Sequence, residues 1–404
     1  MSLMKFQKLP PKAVREAIPR TVWALGAVSL FMDISSEMIH AVLPLFMATT
    51  LEASALAIGL TEGAAEAAAL VTKVFSGMIS DRFGHTKLLV FAGYALAVFT
   101  KPFFALATTV EQVFLCRFTD RVGKGLRGAP RDALIASVTP KPILGAAFGL
   151  RQSLDSAGAF IGPALASLLL AAFSESYRFI FWCALIPGII CLALIVFEVK
   201  APEPKAGRKV NPLSREAARM LPISLWLLLA LAAVFSLARF SNAFIVLRAA
   251  SCGIRPMYVP LVMVAMNAVF AFSSYPFGRL ADRVRPTLLL SFGVALLAAS
   301  EAVFAAASGP VWILAGVALW GLHLGTTQGV FSMLVASLAP EALRGTAFGL
   351  YNLASGGAAL AAGLLAGLLW DRFGSSASFA AGAAFALFTL ALLAVMRRRS
   401  LRAL

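Results

Sequence analysis

Asp33, Glu37 and His40 stand at i, i+4 and i+7 inside a long apolar run. In a helix, a step of 100° per residue puts all three on one face. An ionised side chain in such a segment is costly, so it needs a partner or a task. A carboxyl in low dielectric can alternate between charged and neutral forms, and the neutral form removes most of that cost. Such a group can carry a proton, and Asp33 and Glu37 are the leading candidates. Glu62 and Glu66 repeat the i, i+4 spacing in the next run and are candidates for the same work. Asp33, Glu37 and His40 also have Met32, Met38 and Met47 nearby and could instead take a divalent metal ion, since oxygen and imidazole ligands suit such ions. No strong ligand spacing accompanies them.

Bases are interleaved with these acids. Arg117, Asp120, Arg121 and Lys124 share a helical face, and Arg151 and Asp155 form a further i, i+4 pair. Lys73, Lys101, Arg239 and Glu301 stand alone in sequence. The apolar runs carry the acids Asp33, Glu37, Glu62, Glu66, Asp120, Asp155 and Glu301. Their bases are Lys73, Lys101, Arg117, Arg121, Lys124, Arg151 and Arg239. The two sets are equal in size, so they leave a substrate's charge open. Nearly all of this charge is in the first half of the chain. The second half offers Arg239, Asn242, Asn267, Glu301, His323 and Gln328. Proton handling is therefore expected in the first half, with packing and a few ligand contacts in the second. The candidate substrate-binding set is Asp33, Glu37, His40, Lys101, Arg121, Arg151, Asp155, Arg239, Asn242 and His323. Arg239 is its sharpest member. It has no acid within a helical turn, so its partner must come from another helix, from water or from the substrate.

The elements that position these groups must be membrane helices. The chain is 60% hydrophobic and 13% charged, against about 25% charged in a soluble chain. Its mean hydropathy is +0.86. In lipid, only a helix satisfies its backbone within one segment, and the alternating short strands of a barrel are absent. About twelve spans of roughly 20 residues each are expected near 21–48, 54–78, 87–108, 112–135, 145–172, 178–198, 222–247, 257–279, 287–307, 311–335, 346–369 and 375–396. The fold class is an all-α membrane protein of two pseudo-symmetric six-helix bundles, at 21–199 and 221–396. A basic arm (1–20), a Pro- and Lys/Arg-containing linker (200–220) and a basic tail (397–404) complete the chain. No signal-peptide pattern is found.

The net charge of +16 is a topology signal. Most Lys and Arg fall in the arm, the linker, the tail and alternate loops, so both termini are expected in the cytoplasm. Charges spread over short loops, without a compact reading module, argue against nucleic acid. The N-terminal arm suits anionic lipid headgroups. Cys116, Cys183, Cys191 and Cys252 are isolated and read as free thiols.

The chain also repeats itself. Gly145-Ala-Ala-Phe-Gly-Leu150 returns as Gly345-Thr-Ala-Phe-Gly-Leu350, an offset of 200 residues. Ala136–Pro140 returns as Ala336–Pro340 at the same offset, and Gly77–Arg82 as Gly278–Arg283 one residue further on. Halves related in this way enclose a central site and rock around it.

The segment Gly77-Met-Ile-Ser-Asp81-Arg82-Phe-Gly84 resembles the loop motif between the second and third spans of the major facilitator superfamily, and Gly278 to Arg285 resembles its weaker counterpart. The resemblance covers nearly the whole length. It implies a gate in which Gly77, Asp81 and Arg82, with Gly278, Asp282 and Arg283, latch the cytoplasmic side. His85-Thr86 stands where the family usually has two basic residues. In the fifth span, Gly149, Gly158, Gly162 and Pro163 match the spacing of the family's antiporter motif, which is associated with export. Ala166-Ser167 replaces its closing Gly-Gly. Arg121, followed by Gly125, resembles the family's fourth-span Arg, although Arg127 stands where the family prefers Gly.

These readings imply a proton-coupled secondary transporter of the inner membrane, monomeric, without a cofactor, exporting a small molecule by alternating access. A divalent-metal exporter, and an importer of an anionic metabolite or siderophore-like chelate, are the rivals. A receptor lacks support, since no sizeable signalling domain is attached. An enzyme or ATP-driven pump lacks it too, since no Ser–His pattern, phosphate-binding loop or His-Glu-x-x-His motif occurs.

Overall fold

The computed structural model describes residues 18–83, 86–140, 143–173, 176–200, 219–281, 284–340 and 343–399. Every regular element among them is a helix. The first half contains α1 (Arg20–His40), α2 (Leu43–Thr49), α3 (Ala55–Phe83), α4 (Thr86–Leu106), α5 (Val110–Val138), α6 (Leu144–Ala172), α7 (Tyr177–Cys183) and α8 (Leu185–Phe197). The second contains α9 (Ile223–Ala238), α10 (Asn242–Ser251), α11 (Pro260–Ala281), α12 (Pro286–Ala306), α13 (Pro310–Leu338), α14 (Arg344–Phe373) and α15 (Ser375–Arg399). A 3₁₀ turn at Pro256–Tyr258 precedes α11.

Eleven of the described segments are long and apolar enough to cross a membrane. The remaining expected span, the fourth (α5), is 29 residues long but falls short on composition, because it carries Arg117, Asp120, Arg121, Lys124, Arg127, Arg131 and Asp132. It is nevertheless held between α3 and α4, with Arg117, Asp120, Arg121 and Arg127 buried. Its charge faces protein, where lipid exposure would be prohibitive.

Three spans are interrupted, which the apolar pattern did not signal. The first breaks at Ala41–Val42, between α1 and α2. Pro44 explains the break: it lacks an N–H, and its ring clashes with the carbonyl four residues back, at His40. The seventh breaks at Arg239–Ser241, where Ser241 caps the new start by accepting from the Ala243 N–H (3.3 Å). The sixth breaks at Ala184, whose carbonyl accepts from Ser35 Oγ (2.6 Å). At the 200-residue offset, the break at Ala41 coincides with the break at Ser241.

Two seams join the halves: α3 against α14, and α6 against α11. The α3–α14 seam is made of backbone. A Cβ added at Gly63 would lie 3.0 Å from the Ala359 carbonyl, and one at Gly59 would strike the carbonyl of Gly363. The start of α3 is capped from the other half: Asp371 accepts from the Ala55 and Leu56 N–H groups, each at 2.9 Å. Beyond the two breaks, α2 and α10 pack together. Phe46, Met47, Ala243 and Leu247 belong to one buried apolar cluster there. Ser167 Oγ donates to the Met257 carbonyl at the same end. The face opposite the termini is thus sealed by contacts between halves.

Candidate transport site

Two adjoining cavities lie inside this seal. The first, about 370 Å³, is lined by Asp33, Glu37, Glu66, Lys73, Lys124, Arg127, Arg131, Asp132, Gln152, Asp155 and Asn267, among others. The second, about 300 Å³, is lined by Glu37, His40, Glu62, Glu66, Arg117, Arg121, Phe235, Ser236, Arg239, Ser241, Asn242, Tyr351 and Ser355. Glu37, Glu66 and Leu70 belong to both. Asp33 lies 13 residues into α1, about 20 Å along its axis from Arg20. This is mid-membrane depth.

Behind the second cavity runs a buried ion network. Arg117 grips Glu62 with both ends of its guanidinium, at 2.8 and 2.7 Å. It also approaches Asp120 (3.7 Å) and contacts His40 Nε2. His40 Nδ1 lies 3.3 Å from Glu37 Oε1. Lys101 donates to Asp120 (3.1 Å) and to Ser36 (3.3 Å). His40 therefore bridges the cavity-facing Glu37 to the inner set of Asp120, Lys101 and Arg117. On the side of the termini, Arg131 donates to Ser29 (3.0 Å), and Arg127 lies 4.5 Å above the ring of Tyr94. That stacking gives a local role to the Arg that stands in place of the family's Gly.

The small residues of the fifth span act on this site directly. A Cβ at Gly158 would lie 2.8 Å from Asp33 Cβ and 2.7 Å from the Leu30 carbonyl. One at Gly162 would lie 2.8 Å from Glu37 Cβ. These glycines let α6 lie against α1 at the two candidate proton carriers. Pro163 follows inside α6, while Gly149 has nothing within 4 Å of an added Cβ.

Asp33, Glu37, His40, Glu62, Glu66, Arg121, Asp155, Arg239 and Asn242 line the cavities. Three expected ligand residues do not. Lys101 is buried on Asp120. Arg151, expected to face the cavity with Arg121 and Arg239, is held instead by Asp155 (2.6 Å) and Gln152 (2.8 Å). His323 is wholly buried, with Nδ1 2.9 Å from the Gly293 carbonyl. The metal alternative at Asp33, Glu37 and His40 finds no support: no group of three or more His, Cys, Asp or Glu placed for a metal occurs among the described residues. His40 has its two nitrogens turned to Glu37 and Arg117.

Of the gate residues, Gly77 would carry an added Cβ 3.6 Å from Ala129 Cβ, and Gly278 has nothing within 4 Å of an added Cβ. The side chains of Asp81 and Arg82, and the residues Asp282 and Arg283, lie outside the described residues. Arg248 stands one residue past the span expected at 222–247. It is a buried member of α10 whose guanidinium donates to the Phe304 (2.9 Å) and Ala307 (2.8 Å) carbonyls, satisfying the end of α12.

Tyr351 and Ser355 line the cavity but were not anticipated. The signal was present in the repeat: at the 200-residue offset they are the counterparts of Arg151 and Asp155.

The sequence profile of the Major Facilitator Superfamily matches residues 25–363. The chain belongs to the major facilitator superfamily. It is thus a multi-pass membrane transporter of small molecules rather than an enzyme. An uncharacterised MFS-type transporter of Methanocaldococcus jannaschii is 30% identical over 359 residues, which cover 87% of this chain and 89% of the relative. The multidrug resistance protein MdtH of Photorhabdus laumondii subsp. laumondii is 36% identical over 122 residues, 30% of this chain and 29% of that protein. Among solved structures, a POT family transporter in complex with 5-aminolevulinic acid superposes with a TM-score of 0.81 at 14% identity, over 94% of this chain and 96% of that one. The nucleoside transporter NupG superposes with a TM-score of 0.75 at 15% identity, over 94% and 98%. At these identities the likeness concerns the fold alone.

Proposed function

We propose that this superfamily member is a proton-coupled exporter of a small molecule, working as a monomer in the inner membrane with both termini in the cytoplasm. The observation that carries the reading is the seating of Gly158 and Gly162 on α1 at Asp33 and Glu37. The export-associated glycine pattern thereby touches the helix that carries two cavity-facing carboxyls. Proton uptake or release at Asp33 and Glu37 would change the charge at the joint between α1 and α6, and α6 is also a seam to the other half. Among the described residues Asp33 has no hydrogen-bonded or ion-paired partner, so it is free to exchange a proton with the cavity. His40 would pass the change from Glu37 to Asp120. The contacts at the face opposite the termini support an inward-facing state, with the outer gate shut. The partial match to a multidrug resistance protein favours export.

The test uses proteoliposomes with an imposed pH gradient and a substrate drawn from a small-molecule screen. Asp33→Asn and Glu37→Gln should abolish uphill accumulation but retain counterflow, since exchange need not move protons. Wild-type accumulation by both variants would end the assignment.

A further inference from the structure

We infer that the second cavity is an anion site, which binds the carboxylate or phosphate headgroup of a small organic anion between Arg121, Arg239 and the first turn of α10. The inference rests on the reading of this cavity as the transport site and adds a substrate class to it.

The first observation is Arg121. It is 9% exposed and lines the second cavity. Among the described residues, its Nε has no hydrogen-bond partner and no carboxylate lies within ion-pair distance of the group. The neighbouring Arg117 is consumed by Glu62. A guanidinium that is nine-tenths buried and unpaired at a cavity wall is costly unless a ligand meets it. The second observation is the break in the seventh span. It puts Arg239 at the C-terminal end of α9 and opens a ten-residue helix whose capping Ser241 and first residues, Asn242 and Ala243, line the same cavity. The Ser241 side chain caps Ala243, while the Asn242 N–H, in the first turn, has no intrahelical acceptor. Free N–H groups and the helix dipole at such an end favour negative charge.

The charge balance points the same way. Among the described residues lining the two cavities, Lys73, Arg121, Lys124, Arg127 and Arg239 have no ion-pair or hydrogen-bond partner for their side chains, Arg127 resting on the Tyr94 ring. The unpartnered acids there are Asp33 and Glu66. Arg121, Lys124 and Arg239 all act electrostatically on Glu66, which leaves positive charge in excess around it. A planar guanidinium is suited to carboxylate and phosphate, and one end of the substrate can meet it in water-poor surroundings.

The experiment titrates purified protein in neutral detergent with four probes that share a ring and differ in headgroup: benzoate, phenyl phosphate, benzamide and benzylamine. Thermal stabilisation is the readout. Benzoate, phenyl phosphate or both should stabilise with a saturating dose dependence, and benzamide and benzylamine should not. The stronger of the two anions identifies the headgroup. Arg121→Gln and Arg239→Gln should each weaken the anion by roughly tenfold or more, as loss of a charge-assisted hydrogen bond does. Arg121→Lys keeps the charge if the neutral variant folds poorly, and should retain part of the binding. Ser236→Trp, which fills the cavity, should abolish it. No response to either anion, or an equal response to benzylamine, overturns the inference. Anion binding that survives both Arg variants but is lost in Ser236→Trp overturns it while sparing the cavity. Binding that survives all of these variants removes the cavity reading as well.

Discussion

Gly149, Gly158 and Gly162 belong to one sequence motif, but only two of them touch another helix, so the motif contains its own control. Alanine at Gly158 or Gly162 places a methyl 2.7–2.8 Å from atoms of α1. Ordinary van der Waals contact begins near 3.4 Å, so α6 must retreat by about 0.6 Å. The nearest atoms include the Leu30 and Ile34 carbonyls, which cannot rotate away. Overpacking of this kind costs about 1–3 kcal/mol. Gly149→Ala meets nothing within 4 Å and should gain about 0.8–1 kcal/mol of helix propensity. Melting temperatures of the purified variants should therefore fall for Gly158→Ala and Gly162→Ala and hold or rise for Gly149→Ala. Transport should follow the same order, because the displaced contact lies at Asp33 and Glu37. Wild-type melting by Gly162→Ala together with a loss in Gly149→Ala would refute the reasoning, since it would put the tight crossing elsewhere.

Removing the cap that Asp371 gives to α3 should favour the state open on the face opposite the termini. Asp371→Ala is expected to shift that equilibrium by about 1–2 kcal/mol. Spin labels at Thr108 and Ser308, exposed in matching loops of the two halves, would report a longer distance; an unchanged distribution would remove Asp371 from the gate. Glu62→Gln or Arg117→Gln alone leaves a buried charge without its partner and should cost about 3–5 kcal/mol of stability. The double variant should cost clearly less than the two losses combined, as read by denaturant unfolding; strict additivity would mean the pair is not coupled.

The membrane class, the two-half architecture and the acids of α1 and α3 were legible because polarity in an apolar run is conspicuous at any depth. The extent of α5 was legible, but its composition alone would have rejected it as a span. Which charges are struts was not legible. Lys101 and Arg239 both stand alone in sequence, yet one is buried on Asp120 and the other faces a cavity. That difference depends on side-chain direction and on helices distant in the chain. The Pro44 break could have been read from the missing N–H. The break after Arg239 has no proline and is marked only by Ser241 as a cap. Asp371 falls just beyond the span expected at 346–369. Its partners are more than 300 residues away, beyond the reach of any local pattern.

The crossing of α3 and α14 bears on how such a protein can diversify. Where Gly59 and Gly63 meet Gly363 and Ala359, the surfaces in contact are main chain, so little of this crossing is written in side chains. Substitutions along the cavity, at Asn242, Tyr351 or Ser355, could then alter what is carried without retuning the closure. Descendants of one ancestral gate could part company in cargo while opening and shutting in the same way, and the cost would fall on the glycines, which have almost no room to vary.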